Sequence, residues 1–260
     1  MHGTIIVENE KAKPYKPVLV VGLPGIGYVG RLVALHLIKQ FKAKKIATLY
    51  SDQFPYEVIM TKKGTVRIAS NRFYLIKRKK PQNDIIVLTG DVQALTSEGQ
   101  YLVNTKILDY FKGLGGSFVY TLGGYSSGKV GIETPQVFGN ATSTKVIEKF
   151  KDSGIIFGKT RGTIVGSAGL IVAFAKAEKL DGICIMGESS FLNVDASAAK
   201  SVLMVLSKNL GLKIDTSRLD TMIEKAAKAM KEIAAQAQGM PVQDEKGFDE
   251  GSGSKPSYIR

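Results

Sequence analysis

The residues whose types and spacing could do chemistry begin with a glycine-rich segment, GLPGIGYVG at 22–30. It places Gly25-x-Gly27-x-x-Gly30 between an apolar β-branched run and a helical pattern, and Asp52 follows 22 residues after Gly30. In that setting backbone amides and a helix N-terminus can face a pyrophosphate while an acidic side chain holds a ribose. Gly25, Gly27, Gly30 and Asp52 are therefore the candidate cofactor-binding residues of a nucleotide- or nucleoside-binding enzyme. The competing reading is a tight strand-to-helix corner that needs glycine for its backbone alone. Pro24 directly before Gly25, and the early Gly22, favour the corner.

A second stretch, GGYSSGKV at 123–130, nearly spells a phosphate loop through Gly123, Gly128 and Lys129. Val130 stands where a Ser or Thr would hold magnesium, and Gly131 and Pro135 interrupt the helix that should follow. The same residues fit a serine elbow as Gly124-x-Ser126-x-Gly128, which needs that helix too and a histidine base. His36 falls on the apolar face of its helix as a packed residue, and His2 lies at the terminus. Gly166-Ser167-Ala168-Gly169 opens another helix, with Ser167 as its cap. Cys184, inside the apolar run GICIMG, reads as a buried inert thiol. Glu188 and Asp195 have no spacing that singles out acid–base work. No catalytic residue, no metal set and no required cofactor are nominated, and the chain reads as a non-enzyme.

The elements that must position these residues follow from periodicity. PVLVVG at 17–22 is a buried-type strand, and 26–40 has helical spacing. KIATL at 45–49 is a strand, and YEVIM at 56–60 with TVRIAS at 65–70 forms a hairpin through Lys62-Lys63-Gly64. RFYLIK (72–77), IIVLTG (85–90) and SFVYTLGG (117–124) are further strands; 98–112 and 142–151 are helical. GTIVG at 162–166, the helix 167–178 and GICIMG at 182–187 make a strand–helix–strand unit, and helices at about 195–210 and 216–237 follow. Buried strands alternating with helices call for an α/β fold: a mixed, mostly parallel sheet with helices on both faces and a β-hairpin insertion. The last helix sets Leu219, Ile223, Ala226, Met230 and Ile233 on one seam, which suits docking on its own domain first and a subunit contact second. Residues 1–238 read as a single domain and 239–260, polar and rich in glycine and serine, as a flexible tail.

At 260 residues, 44% of them apolar, the chain can bury a full core. One cysteine excludes an intrachain disulfide, and two histidines leave little for a histidine-ligated metal. The greasiest run, 18–30, is broken by Pro24 and four glycines, so no membrane span is expected, and the polar start is no secretory signal. The expected location is the cytoplasm. The net charge of +13 is lopsided: residues 1–80 hold 16 Lys/Arg against 4 Asp/Glu. The densest run is Arg72, Lys77, Arg78, Lys79 and Lys80. Nucleic acid is set aside as a partner because no recognised binding module accompanies the charge.

Four ordered segments resemble the proteasome assembly chaperones, in particular the branch of the second chaperone subunit and its archaeal relatives. They are GLPGIGYVGRLVALHL at 22–37, the run GDVQALTSEGQ…GGY at 90–125, GSAGLIVAFAKAEKLDGICIMGESS at 166–190 and NVDASAAKSVLMVLSKNLGLKID at 193–215. The resemblance implies a fold like that of nucleoside phosphorylases and related hydrolases, used as a binding scaffold. It implies proteasome α subunits or the α-ring as partners, together with copies of the chain itself (a homo-oligomer) or a paralogue. Some members carry a C-terminal signature of hydrophobic residue, Tyr, then any last residue. Here the chain ends Ser257-Tyr258-Ile259-Arg260, with the tyrosine third from the end where the signature has it second. Tyr258, Ile259 and Arg260 are the candidate partner-binding residues.

Overall fold

The computed structural model describes residues 2–129, 131–159, 162–190 and 194–238, with side chains in the last helix through residue 228. In chain order the strands are β1 (Thr4–Glu8), β2 (Val18–Gly22), β3 (Lys44–Ser51), β4 (Val58–Met60), β5 (Val66–Ile68), β6 (Asn71–Ile76), β7 (Ile85–Gly90), β8 (Phe118–Ser126), β9 (Val137–Ala141), β10 (Ile156–Phe157) and β11 (Gly182–Ser189). The helices are α1 (Val29–Gln40), α2 (Ser97–Gly113), α3 (Thr144–Lys149), α4 (Ser167–Ala177), α5 (Ala196–Leu210) and α6 (Ser217–Gln238).

Nine strands form one sheet in the order β1-β3-β6-β7-β2-β8-β11-β9-β10. Its centre, β7-β2-β8-β11, is parallel throughout, while β1, β3 and β6 on one side and β9 on the other attach antiparallel. The central strands are buried on both faces, as a parallel sheet between helices requires. Alternation along β2 divides its side chains cleanly. Val18 and Val20 pack with α1 and α5 through Val33, Leu37, Leu203 and Leu206. Leu19 and Val21 pack with α2 and α4 through Ile107, Phe111 and Ile171. The compact unit runs through Ile223, and Leu219, Met222 and Ile223 of α6 belong to the first of these cores. Of the remaining seam residues Ala226 is exposed, while the side chains of Met230 and Ile233, like the tail 239–260, lie outside the described residues.

Two expectations are corrected. GTIVG at 162–166 is not a strand but an extended coil, because Gly162 (φ 142°) and Gly166 (φ 88°) turn the chain out of sheet geometry. Ser167 does not cap α4: the cap position is Gly166, and the serine is the first helical residue. Strands β1, β9 and β10 have no counterpart in the periodicity reading. They are short peripheral strands with weak alternation, recruited by an already formed neighbour.

The hairpin β4–β5 forms a separate two-stranded sheet. Such a unit is marginal alone, and two contacts hold it. Ile59 packs into the α2-side core, and Arg67 makes a double hydrogen bond to Asp91 at 2.6 and 2.9 Å. Asp91, just past β7, also accepts from Arg72 (2.7 Å) and from the Ser70 amide (3.1 Å). Burial pushes its pKa up, but the Arg67 bonds, the Ser70 amide and Arg72 outweigh that and hold it below the usual carboxylate range. A lowered folded-state pKa stabilises above the unfolded value and ceases to do so as pH falls through the folded one. Replacing Asp91 by Asn should therefore cost about 2–3 kcal/mol in urea unfolding at neutral pH, with the gap between wild type and variant closing below pH of about 4. A gap independent of pH would reject the ionic role.

Candidate functional site

Strand β2 hands the chain to α1 on one face, while its neighbour β7 hands it to α2 on the other. The carboxyl ends of β2, β7, β8 and β11 thus open on a topological switch point, the usual place for a crevice in such sheets. A cleft of about 1180 Å³ lies there. Its walls are the 23–26 turn, residues 93–101 entering α2, the end of β8 and the 162–170 stretch entering α4. Ile26, Leu95, Tyr101 and Val165 on these walls are 47, 73, 57 and 89% exposed. No charged side chain lines the cleft among the described residues.

Gln93 ties the walls together. Its Nε2 donates to the Pro24 carbonyl, and its Oε1 accepts from the Ser167 amide at 2.9 Å and from Gln100 at 3.4 Å. Gln100 Oε1 in turn accepts from Asn104 (3.0 Å) and from the Ser167 hydroxyl (3.2 Å). A Cβ on Gly166 would come within 2.8 Å of Gln93 Oε1, so glycine there makes room for this bridge. These bonds hold three chain segments in place, with Asn104 Oδ1 left buried without a partner. Spacing alone does not reveal them; one glutamine just before a helix and one inside it are the only trace in the sequence.

The glycine turn divides in two. Gly22 and Gly30 are steric requirements: a Cβ on Gly22 would lie 2.1 Å from the Gly30 oxygen, and one on Gly30 would lie 2.3 Å from the Leu122 oxygen. Gly27, at φ 60°, would meet Ser189 Oγ at 2.7 Å, and its carbonyl accepts the Asp195 amide at 2.9 Å. Gly25 differs. It is extended, and nothing but Gln93 Nε2, at 3.9 Å, is near its missing Cβ, so it faces open cleft. Asp52 is not brought to this turn. It follows β3, which β6 and β7 separate from β2, roughly 14 Å at the usual strand spacing. There its carboxylate accepts the Gly3 amide at 2.6 Å and the Gln53 amide at 3.0 Å.

The other candidates are likewise committed. Lys129 of the incomplete phosphate loop lies 3.2 Å from Glu188, and the chain after Gly128 leads to β9 rather than to a helix. Burial raises the pKa of Glu188, but the Ser127 hydroxyl, Lys129 and the Gln136 amide prevail and lower it, so this acid fastens both ends of the 127–136 loop. Asp195 caps α5, accepting from the Ala198 amide and the Ser189 hydroxyl, both at 2.9 Å. His36 Nε2 is 3.0 Å from Gln40 Oε1, one turn along α1. Burial pushes the Cys184 thiol up to about 11. No trio of His, Cys, Asp or Glu is placed for a metal ion, and no helix is long and apolar enough to cross a membrane, among the described residues. Tyr258, Ile259 and Arg260 lie outside them.

A mixed nine-stranded sheet between helical layers, with an amide-braced cleft at its switch point, defines a protein of the α/β class. The chain belongs to the PAC2 family, which matches residues 19–234. It is 38% identical over 248 residues to an uncharacterized protein of Methanocaldococcus jannaschii, covering 91% of this chain and 95% of the other. Among solved structures it is similar to PbaB of Pyrococcus furiosus, an archaeal proteasome activator, with a TM-score of 0.86 and 36% identity over 90% of this chain and 100% of that one. PbaA of the same organism, an archaeal homologue of proteasome-assembly chaperone, gives a TM-score of 0.71 and 25% identity, covering 90% and 99%.

The two kinds of glycine separate experimentally. Gly30→Ala forces a backbone shift at Leu122 and should cost about 2–3 kcal/mol in thermal unfolding. Gly25→Ala should stay within about 0.5 kcal/mol of wild type or gain slightly. Equal stability of the two variants would refute this division.

Proposed function

We propose that this chain is a non-enzymatic, proteasome-binding chaperone or activator that acts on α subunits or the assembled α-ring in the cytoplasm. The observation that carries the reading is the likeness to PbaB, which extends over 90% of this chain at 36% identity. It is supported by a cleft with no charged lining among the described residues and by the buried acids Glu188 and Asp195, which fix a loop and a helix start. The chain works as a homo-oligomer or beside a paralogue, with the α6 seam as one contact. Its last residues, Tyr258, Ile259 and Arg260, offer apolar anchors at the end of a glycine- and serine-rich tail. Several such tails on one oligomer gain about 10²–10⁴-fold in avidity over one.

One observation favours a second reading. Gly25 opens onto an otherwise walled cleft, which leaves space for a nucleoside or nucleotide in an enzyme that uses the 22–30 turn. The two readings part on simple measurements. Purified α-rings should co-sediment with the full chain, and deleting residues 258–260 should weaken that binding about tenfold or more. Failure of the intact protein to bind α-rings would reject the proteasome reading. A melting shift with ATP, NAD or a nucleoside, about 2.7 kcal/mol at 100 times the dissociation constant, would promote the enzyme instead.

A further inference from the structure

The lopsided charge of the sequence gathers at the end of the sheet away from the cleft. Residues 11–17 lead into β2 and residues 77–84 lead from β6 into β7, so both loops sit at the amino ends of adjacent strands. A buried acid joins them. Asp84 is 1% exposed; its Oδ2 accepts the Tyr15 amide at 2.8 Å and lies 3.0 Å from Lys77 Nζ, while its Oδ1 accepts the Arg78 amide at 2.8 Å. Its own amide donates to the Tyr15 carbonyl at 3.0 Å, and Lys77 Nζ also donates to the Lys13 carbonyl at 2.7 Å. The two loops are thereby one rigid piece.

That piece carries Lys11, Lys13, Lys16, Arg78, Lys79 and Lys80, all exposed except the half-buried Arg78. None of the six lies within ion-pair distance of an acid among the described residues. Lys16 is even held at φ 39°, a conformation that lysine adopts at a cost. Holding like charges together in fixed loops gains the fold nothing, since self-repulsion opposes the compact state. The arrangement makes sense when the opposing charge comes from outside.

We propose that this face, organised by Asp84, docks an acidic surface of a partner protein. Lysine predominates, and it meets carboxylates as a mobile point charge without needing the planar fork of arginine. The one aromatic ring present, Tyr15, already has Lys80 Nζ at 4.9 Å and Lys16 Nζ at 5.8 Å from its centre, so it offers no free platform for a nucleic-acid base. The cations sit on loops, and neither a helix nor a strand ribbon is presented to a groove. This interaction is separate from α-ring binding through the tail and stands or falls without it.

The test titrates the full-length protein into fluorescently labelled polyglutamate at about 50 and about 200 mM salt, with a duplex DNA oligonucleotide as the competing class. Polyglutamate should bind, and should weaken about tenfold or more at the higher salt. The triple variant Lys13→Gln, Lys79→Gln, Lys80→Gln should lose about tenfold or more in affinity, whereas a control of equal charge, Lys62→Gln, Lys63→Gln, Lys145→Gln, should stay within about twofold. Asp84→Asn makes the protein more positive yet releases the loops, so it should bind more weakly; a protein attracting polyanions by net charge alone would bind more tightly. If that variant does not fold, the two lysine triples decide the matter by themselves. Absence of polyglutamate binding, equal loss in both triples, or tighter binding to the DNA than to polyglutamate would each overturn the proposal.

Discussion

The closeness of α1 to the sheet is the constraint on which the rest of the structure depends. Backbone oxygens of Gly30, Leu122 and Ile26 stand where Cβ atoms of Gly22, Gly30 and Gly124 would be, at 2.1, 2.3 and 2.4 Å. With the helix start seated this low, the 26–28 turn reaches across to β11 and to the cap of α5, through the Gly27 carbonyl and the Asp195 amide. Helix α5 then packs on α1, and their shared apolar faces close one core. The opposite side of the same turn, Pro24 and Gly25, becomes a wall of the cleft. One close approach therefore sets a core, a helix pair and a crevice together.

Much of this was legible in the sequence, and the reasons are local. The strands at the sheet centre announce themselves as unbroken β-branched runs because both faces are covered, and α2 and α5 as helical spacing, whereas their caps at Thr96 and Asp195 emerge only in the structure. The β4–β5 hairpin was legible from the Lys-Lys-Gly turn. Peripheral strands were not, since β1 and β10 owe their form to a neighbour's unpaired edge rather than to their own pattern. GTIVG misled for the opposite reason: its apolar, β-branched residues suit a strand, but its flanking glycines at positive φ decide the path.

The candidate site divides in the same way. The glycine turn was found, yet a one-dimensional spacing cannot tell Gly30, required by a carbonyl 2.3 Å from its missing Cβ, from Gly25, required by nothing within the protein. Asp52 shows how sequence distance fails when strand order is not sequence order. Its strand is third from β2 because β6 and β7 intervene, so an acid at the expected separation lands elsewhere. The Gln93–Gln100–Ser167 bridge was not legible because its members lie up to 74 residues apart and no spacing joins the two glutamines to the Gly166–Gly169 segment.

The acids of this molecule explain why the rigidity of its loops and its charge asymmetry belong together. Asp84, Glu188 and Asp195 are buried and Asp91 half-buried, and each fastens loops or a helix start through backbone amides, aided at all but Asp195 by cationic side chains. Acids used inside in this way hold their partners rigid and each meets at most one or two neighbouring cations, such as Lys77 at Asp84 and Lys129 at Glu188. A chain with 23 acids against 36 bases then leaves its excess positive charge on the surface, most densely on the loops that Asp84 fixes. Rigidity within and an unmatched charge without are two consequences of the same placement.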